Sequence, residues 1–265
     1  MTNLVVSASW LADNLDSVRV VDVRDAWEYD GIGHVPGAVN IPFDSFRATE
    51  HAAEAGEGSG MLPGEDAFAT LMREAGITRE DHVVAYDDDH GVFAARFLVT
   101  AYLYGHSIDR LHLLDGDFSA WQLEHETTSE TPSPASTDYE ATLREETPLV
   151  DTDAVAAATD DPETVIVDTR EKSEYDEGHI PGAIRLDWRE LVDDETRGLK
   201  PESAIRDILG DADIVPEKRI LLYCNTARRI SHTYVVLRHL GYEDLAFYEG
   251  SLTEWEAAGR PVESN

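Results

Sequence analysis

Cys224 is the only cysteine in the 265 residues, so no intrachain disulfide can form and a reducing compartment is expected. Basic residues are scarce too. Lysine and arginine total 21 against 54 aspartates and glutamates, a formal net charge of −33, and the lysines are Lys172, Lys200 and Lys218 alone. That balance argues against nucleic acid as a partner, because phosphate binding needs clustered cations, and against an anionic membrane surface. No stretch approaches the ~18 apolar residues of a membrane span. The opening Met-Thr-Asn-Leu-Val-Val-Ser has no basic n-region and no long apolar run, so no leader is indicated and a cytoplasmic protein is expected. The acidic residues are spread along the whole length and do not gather in a tail. This distribution reads as a surface adapted to a salt-rich cytosol, where screening limits self-repulsion.

What is present begins with enough apolar residues, 42%, to build a core. The length suits one large domain or two of about 130 residues. An internal repeat decides between them. Val20-Val-Asp22-Val-Arg24, then Glu28-Tyr29-Asp30, then His34-Val-Pro36-Gly37-Ala38 returns as Ile166-Val-Asp168-Thr-Arg170, Glu174-Tyr175-Asp176 and His179-Ile-Pro181-Gly182-Ala183. Val83-Val-Ala-Tyr86-Asp87 returns as Ile220-Leu-Leu-Tyr223-Cys224, and each is followed by a helical pattern running to a glycine, Gly105 or Gly241. Leu113-Leu-Asp115-Gly116 and Phe247-Tyr-Glu249-Gly250 lead to Trp121 and Trp255. Between the halves lies a stretch rich in Ser, Thr and Pro that reads as a linker. Short apolar strands alternating with helical patterns specify an α/β fold around a mainly parallel sheet. The expected boundaries are residues 1–125, a linker over 126–147, and 148–265.

Cys224 follows a buried strand and enters a five-residue loop with Arg228 and Arg229 close by, after which Ile230, Tyr234 and Leu237 recur at helical spacing. A thiol among backbone N–H groups at the positive end of a helix, with cations beside it, is set up as a nucleophile. The alternative is a small buried hydrophobe.

Taken in order, Asp-x-Arg, Glu-Tyr, His-(Val/Ile)-Pro-Gly-Ala, strand-Tyr-Cys and the final Gly-x-x-x-x-Trp resemble the rhodanese family of sulfurtransferases, twice over nearly the whole chain. The resemblance is to the tandem type and implies two rhodanese-like domains, each a mainly parallel sheet flanked by helices. The second carries the catalytic Cys224; the first is catalytically silent, with Asp87 at the matching position. The implied reaction moves a sulfane sulfur from thiosulfate, or a similar small anionic donor, to cyanide or a thiol through a persulfide on Cys224. The loop Asn225, Thr226, Ala227, Arg228 and Arg229 would aim N–H groups and charge at the sulfur. Arg170 matches a substrate-binding arginine of the family and is a candidate anion clamp; its other role is a salt bridge with Asp168 or Glu174. Arg24, Asp22 and Asp168 are read as structural, His34 and His179 as turn or packing residues, and Trp121 and Trp255 as core. No metal and no cofactor are called for, and a monomer is compatible with the sequence.

The loop departs from the family. Thiosulfate enzymes have Cys-Arg-Lys-Gly-Val-Thr and mercaptopyruvate enzymes Cys-Gly-Ser-Gly-Val-Thr, whereas this chain has Cys224-Asn-Thr-Ala-Arg-Arg. 3-Mercaptopyruvate therefore stands as an alternative donor. Phosphatases on a similar fold place five residues between Cys and Arg; here Arg229 follows after four and Ile230 holds the phosphatase position. The shorter loop favours sulfur over a phosphoryl group, with arsenate reduction or a non-catalytic persulfide carrier as the remaining alternatives.

Overall fold

The runs Val83–Tyr86 and Ile220–Tyr223 are buried at every residue and form interior strands of two separate parallel sheets. The structure, a computed structural model, describes residues 3–48 and 61–265, so Met1 and Thr2 of the stretch read for a leader lie outside it. The chain divides into two units, Met1–Thr147 with Asp194–Leu199, and Pro148–Asp193 with Lys200–Asn265.

In the first unit the described elements are β1 (Val5–Val6), α1 (Ala8–Asn14), β2 (Arg19–Asp22), α2 (Ala26–Ile32), β3 (Val39–Asn40), α3 (Glu65–Glu74), β4 (Val83–Tyr86), α4 (Val92–Leu103), β5 (Leu111–Leu114) and α5 (Phe118–Glu124). The sheet order is β1-β5-β4-β2-β3, parallel throughout. In the second unit follow α6 (Thr152–Ala158), β6 (Thr164–Asp168), α7 (Lys172–Glu177), β7 (Ile184–Arg185), α8 (Glu202–Asp211), β8 (Arg219–Tyr223), α9 (Arg228–His239), β9 (Leu245–Phe247) and α10 (Ser251–Ala257). Their sheet order is β7-β6-β8-β9, again parallel.

The repeat extends to side chains. Ser7 and Asp151 cap α1 and α6, accepting from Trp10 N at 3.1 Å and Ala154 N at 2.8 Å. Capping boxes open α2 (Asp25 with Glu28) and α7 (Glu171 with Glu174). Tyr29 and Tyr175 each donate to a carbonyl, Ala38 O and Ala183 O, at 2.6 Å. His34 and His179 stack on those tyrosines at 3.7 and 3.8 Å, which is a packing role. Trp121 and Trp255 are buried in the two cores, and their indole N–H groups donate to Glu126 O at 3.0 Å and Pro261 O at 2.7 Å.

Residues 126–147 form little regular structure yet run along the first unit. Thr128 bridges His34, Tyr139 is buried, and Arg73 Nε donates to Tyr139 O at 2.7 Å. Asp194–Leu199 also belongs to this unit. Arg197 Nε reaches both Asp117 carboxylate oxygens, at 2.7 and 2.9 Å, and Leu199 N donates to Asp115 Oδ1 at 2.8 Å.

Register positions the site. β2 pairs with β4 so that Asp22 lies opposite Tyr86, and β6 pairs with β8 so that Asp168 lies opposite Tyr223. The segments leaving each pair therefore emerge side by side at the carboxyl end of a parallel sheet, where open α/β sheets present functional groups. In the second unit those segments carry Arg170 and Cys224.

Candidate functional site

Cys224 follows the last residue of β8 and is 1% exposed. Its N–H donates to Ser251 Oγ at 3.0 Å, and its carbonyl accepts from Leu252 N at 3.0 Å. The Ser251 hydroxyl donates to Tyr248 O at 2.9 Å and lies 4.0 Å from Cys224 Sγ. Ser251 is fully buried with φ of +52°, a left-handed backbone that a side chain adopts at a cost of about 1–2 kcal/mol. Surrounding structure has to hold it there.

The loop turns on Ala227, at φ +62° and ψ −14°, and α9 starts at the next residue. This second left-handed non-glycine residue lets the chain pass from strand to helix in four intervening residues, Cys224 to Ala227. Arg228 N donates to Thr226 O at 2.8 Å and Ser231 N to Ala227 O at 3.2 Å, so these two N–H groups serve the turn itself. Arg228 and Arg229 fall in the first turn of the twelve-residue helix α9. Cations there oppose the helix dipole. Arginines in that place make sense where an anion is handled.

The Arg170 guanidinium is almost fully buried against the Asp168 carboxylate. Nε lies 2.9 and 3.1 Å from the two carboxylate oxygens, and Nη2 lies 2.6 Å from Oδ2. Nη2 also donates to Gly178 O at 2.6 Å, and Nη1 approaches Asn225 Oδ1 at 3.4 Å. Burial pulls this guanidinium down, but the bond and charge of Asp168 override it and the net shift is upward. Asn225 is held from its other side, with Nδ2 donating to Glu174 Oε1 at 2.8 Å. Glu174 Oε2 accepts from Arg229 Nη1 at 2.5 Å and from Glu171 N at 3.4 Å. Arg170, Asn225, Glu174 and Arg229 thus form one chain of contacts beside Cys224. The Arg170–Asp168 bridge and the approach to the loop coexist. Thr226 and Ala227 contribute backbone to the turn, and Arg228 opens the helix.

Two residues of this site were not singled out for it from sequence. Glu174 was visible as part of the repeated Glu-Tyr-Asp and as a possible salt-bridge partner of Arg170, not as a partner of the cysteine loop. Ser251 had a weaker signal, since Asp117 stands at its place in the first half.

The matching loop of the first unit has different chemistry. Asp87 is fully buried, and its carboxylate accepts four backbone N–H groups: Asp89 and Gly91 on Oδ1, Phe93 and Ala94 on Oδ2, at 2.8 to 2.9 Å. His90 has φ of +57°, as Ala227 has +62°. Burial raises the Asp87 carboxyl to about 6 against the pull of these donors. Arg24 repeats the Arg170 geometry, with Nη2 2.5 Å from Asp22 Oδ2 and 2.8 Å from Gly33 O, and its guanidinium lies 3.7 Å from the Phe118 ring centre.

Among the described residues, no group of three or more His, Cys, Asp or Glu is arranged to hold a metal ion, and no helix is long and apolar enough to cross a membrane.

Comparison with known proteins matches the rhodanese-like domain twice, over residues 7–124 and 151–258. A thiosulfate sulfurtransferase of Corynebacterium glutamicum is 35% identical, covering 98% of this chain and 90% of its own. One of Pseudomonas aeruginosa is 31% identical, over 95% and 93%. Among solved structures, SseA of Escherichia coli, described as a 3-mercaptopyruvate sulfotransferase of rhodanese fold, superposes with a TM-score of 0.81 at 24% identity, covering 94% of this chain and 99% of its own.

Proposed function

From the premise that the chain belongs to the rhodanese-like domain family, we propose that it is a sulfurtransferase working through a persulfide on Cys224. The observation that carries this reading is the placement of the sole cysteine, directly after a buried strand and four residues before the start of a helix whose first turn bears Arg228 and Arg229, with Arg170 reaching the adjacent Asn225.

With thiosulfate as donor, the Cys224 thiolate attacks the outer sulfur. A new S–S bond forms, the bond from that sulfur to the sulfonate sulfur breaks, and sulfite leaves with the electron pair. A thiophile such as cyanide then attacks the outer sulfur of the persulfide, forms thiocyanate and returns the thiolate. Arg229 and Arg228 favour approach of an anion, Arg170 steadies the loop through Asn225, and Ser251 fixes the backbone of Cys224. The burial of Cys224 suits a small donor. The Asp87 position cannot carry a sulfane sulfur, so the first unit takes none. 3-Mercaptopyruvate is the second donor reading, favoured by the uncharged Asn225 and Thr226 directly after the cysteine. The acidic surface and single thiol support a reducing, salt-rich cytoplasm.

Intact-protein mass spectrometry after incubation with thiosulfate or 3-mercaptopyruvate tests this. One added sulfur that maps to Cys224, is removed by cyanide and is absent from Cys224→Ser is the expected result. Transfer retained in Cys224→Ser overturns the assignment, and turnover of an aryl phosphate would favour a phosphatase instead.

A further inference from the structure

Glu174 does two jobs that its counterpart in the first unit does not combine. Both Glu28 and Glu174 close a capping box, accepting from Asp25 N at 3.2 Å and Glu171 N at 3.4 Å. Glu174 also reaches into the cysteine loop at both ends, taking Asn225 Nδ2 at 2.8 Å and Arg229 Nη1 at 2.5 Å. At the matching positions the first unit has Asp88 and Val92, whose side chains have nothing to donate. The reach to the loop therefore follows from the loop's own residues and is not a by-product of capping.

The pair is partly shielded, with the Arg229 side chain 19% and that of Glu174 26% exposed, so its charges are screened less than surface charges are. Its effect on the site is electrostatic. Of the three arginines near Cys224, Arg170 is matched by Asp168 and Arg229 by Glu174. An anionic donor approaching Cys224 meets an arginine that already has a carboxylate partner.

Resting on the sulfurtransferase reading, we propose that Glu174 is a positioning and specificity-determining residue. It holds the loop through Asn225 and, by occupying Arg229, sets how strongly the site attracts doubly charged donors relative to singly charged ones. Thiosulfate carries two negative charges and 3-mercaptopyruvate one, so the charge Glu174 withholds matters more for thiosulfate.

Glu174→Gln separates the two jobs. The amide oxygen still accepts from Asn225, while the NH2 group opposes the Arg229 donor and releases it. The expected result is a fall in KM for thiosulfate of about threefold, the scale of a partly exposed ion pair, with a smaller change for 3-mercaptopyruvate and little change in kcat. A second readout needs no sulfur transfer. Iodoacetate and iodoacetamide alkylate Cys224 with the same chemistry but differ in charge, and their rate ratio rises about threefold in Glu174→Gln by the same scale. Arg229→Gln, which leaves Glu174 uncompensated, lowers that ratio below wild type and keeps the test open should Glu174→Gln fold poorly. An unchanged alkylation ratio in both variants overturns the proposal, as does a loss of kcat with the donor preference intact. If wild type takes sulfur from neither donor, the sulfurtransferase reading fails, and the alkylation ratios still decide the role of Glu174.

Discussion

Asp87 and Cys224 stand at the same step of their repeats. Each follows the tyrosine that ends a buried strand, Tyr86 or Tyr223, and three residues later each chain turns through a left-handed residue, His90 or Ala227. In the first unit, four backbone N–H groups converge on the side chain at that step. Loop geometry and the chemistry placed on it are therefore separable in this fold.

The Asp87 carboxyl gives a pH signature. Its value in the fold is about 6 against an ordinary 3.8, so between those values the folded state holds the proton that the unfolded chain has released. The contribution of this group to stability is greatest below 3.8, declines as pH rises to 6, and is level above. The total decline is about 3 kcal/mol. Urea unfolding from pH 4 to 7 should show it in wild type, and Asp87→Asn should flatten that component of the curve.

Ser251 combines a buried acceptor with a left-handed backbone, and two substitutions separate these. Ser251→Ala leaves the Cys224 N–H without its acceptor, a loss of about 1–3 kcal/mol. Ser251→Gly loses the same hydroxyl but relieves the +52° φ, returning about 1 kcal/mol. Denaturant midpoints should rank wild type above Gly and Gly above Ala, and persulfide formation should slow in both.

Arg170 is held as a fork, so replacement by lysine is not conservative. One ammonium cannot engage both Asp168 oxygens, Gly178 O and Asn225 together. With Asp168 fully buried, Arg170→Lys should cost about 2–4 kcal/mol. Calorimetry measures the loss, and a lower kcat for sulfur transfer should accompany it through the loosened Asn225.

The net charge of −33 sets the response to salt. Screening weakens repulsion among exposed carboxylates, so the melting temperature should rise as potassium chloride is taken from about 0.1 M to molar concentrations, where the Debye length is about 3 Å. A fall in Tm over that range would contradict a salt-adapted surface.

Much of the architecture was legible because it is written twice. The strands around Val20–Asp22 and Ile220–Tyr223 and the glycine stops at Gly105 and Gly241 are local patterns, and local physics places them. What could not be read depends on atoms brought together from far along the chain. Glu174 meets Arg229 across 55 residues, and Ser251 meets Cys224 across 27. No periodicity encodes such pairs. Glu174 was legible as a member of the repeat; its reach to Asn225 and Arg229 was not. Nor was the membership of Asp194–Leu199 in the first unit, since that depends on Arg197 finding Asp117.

The carboxylate of Asp87 has one more consequence. A loop that gathers N–H donors around an anion is tightened by whatever anion it holds, and in the first unit the anion is part of the chain. That loop's stability is thus independent of solute concentration. Around Cys224 the additional negative charge arrives with the bound donor, so stabilisation there follows mass action. Adding thiosulfate should protect amides of residues 224–231 from hydrogen exchange in proportion to occupancy, and leave those of residues 87–94 as they were.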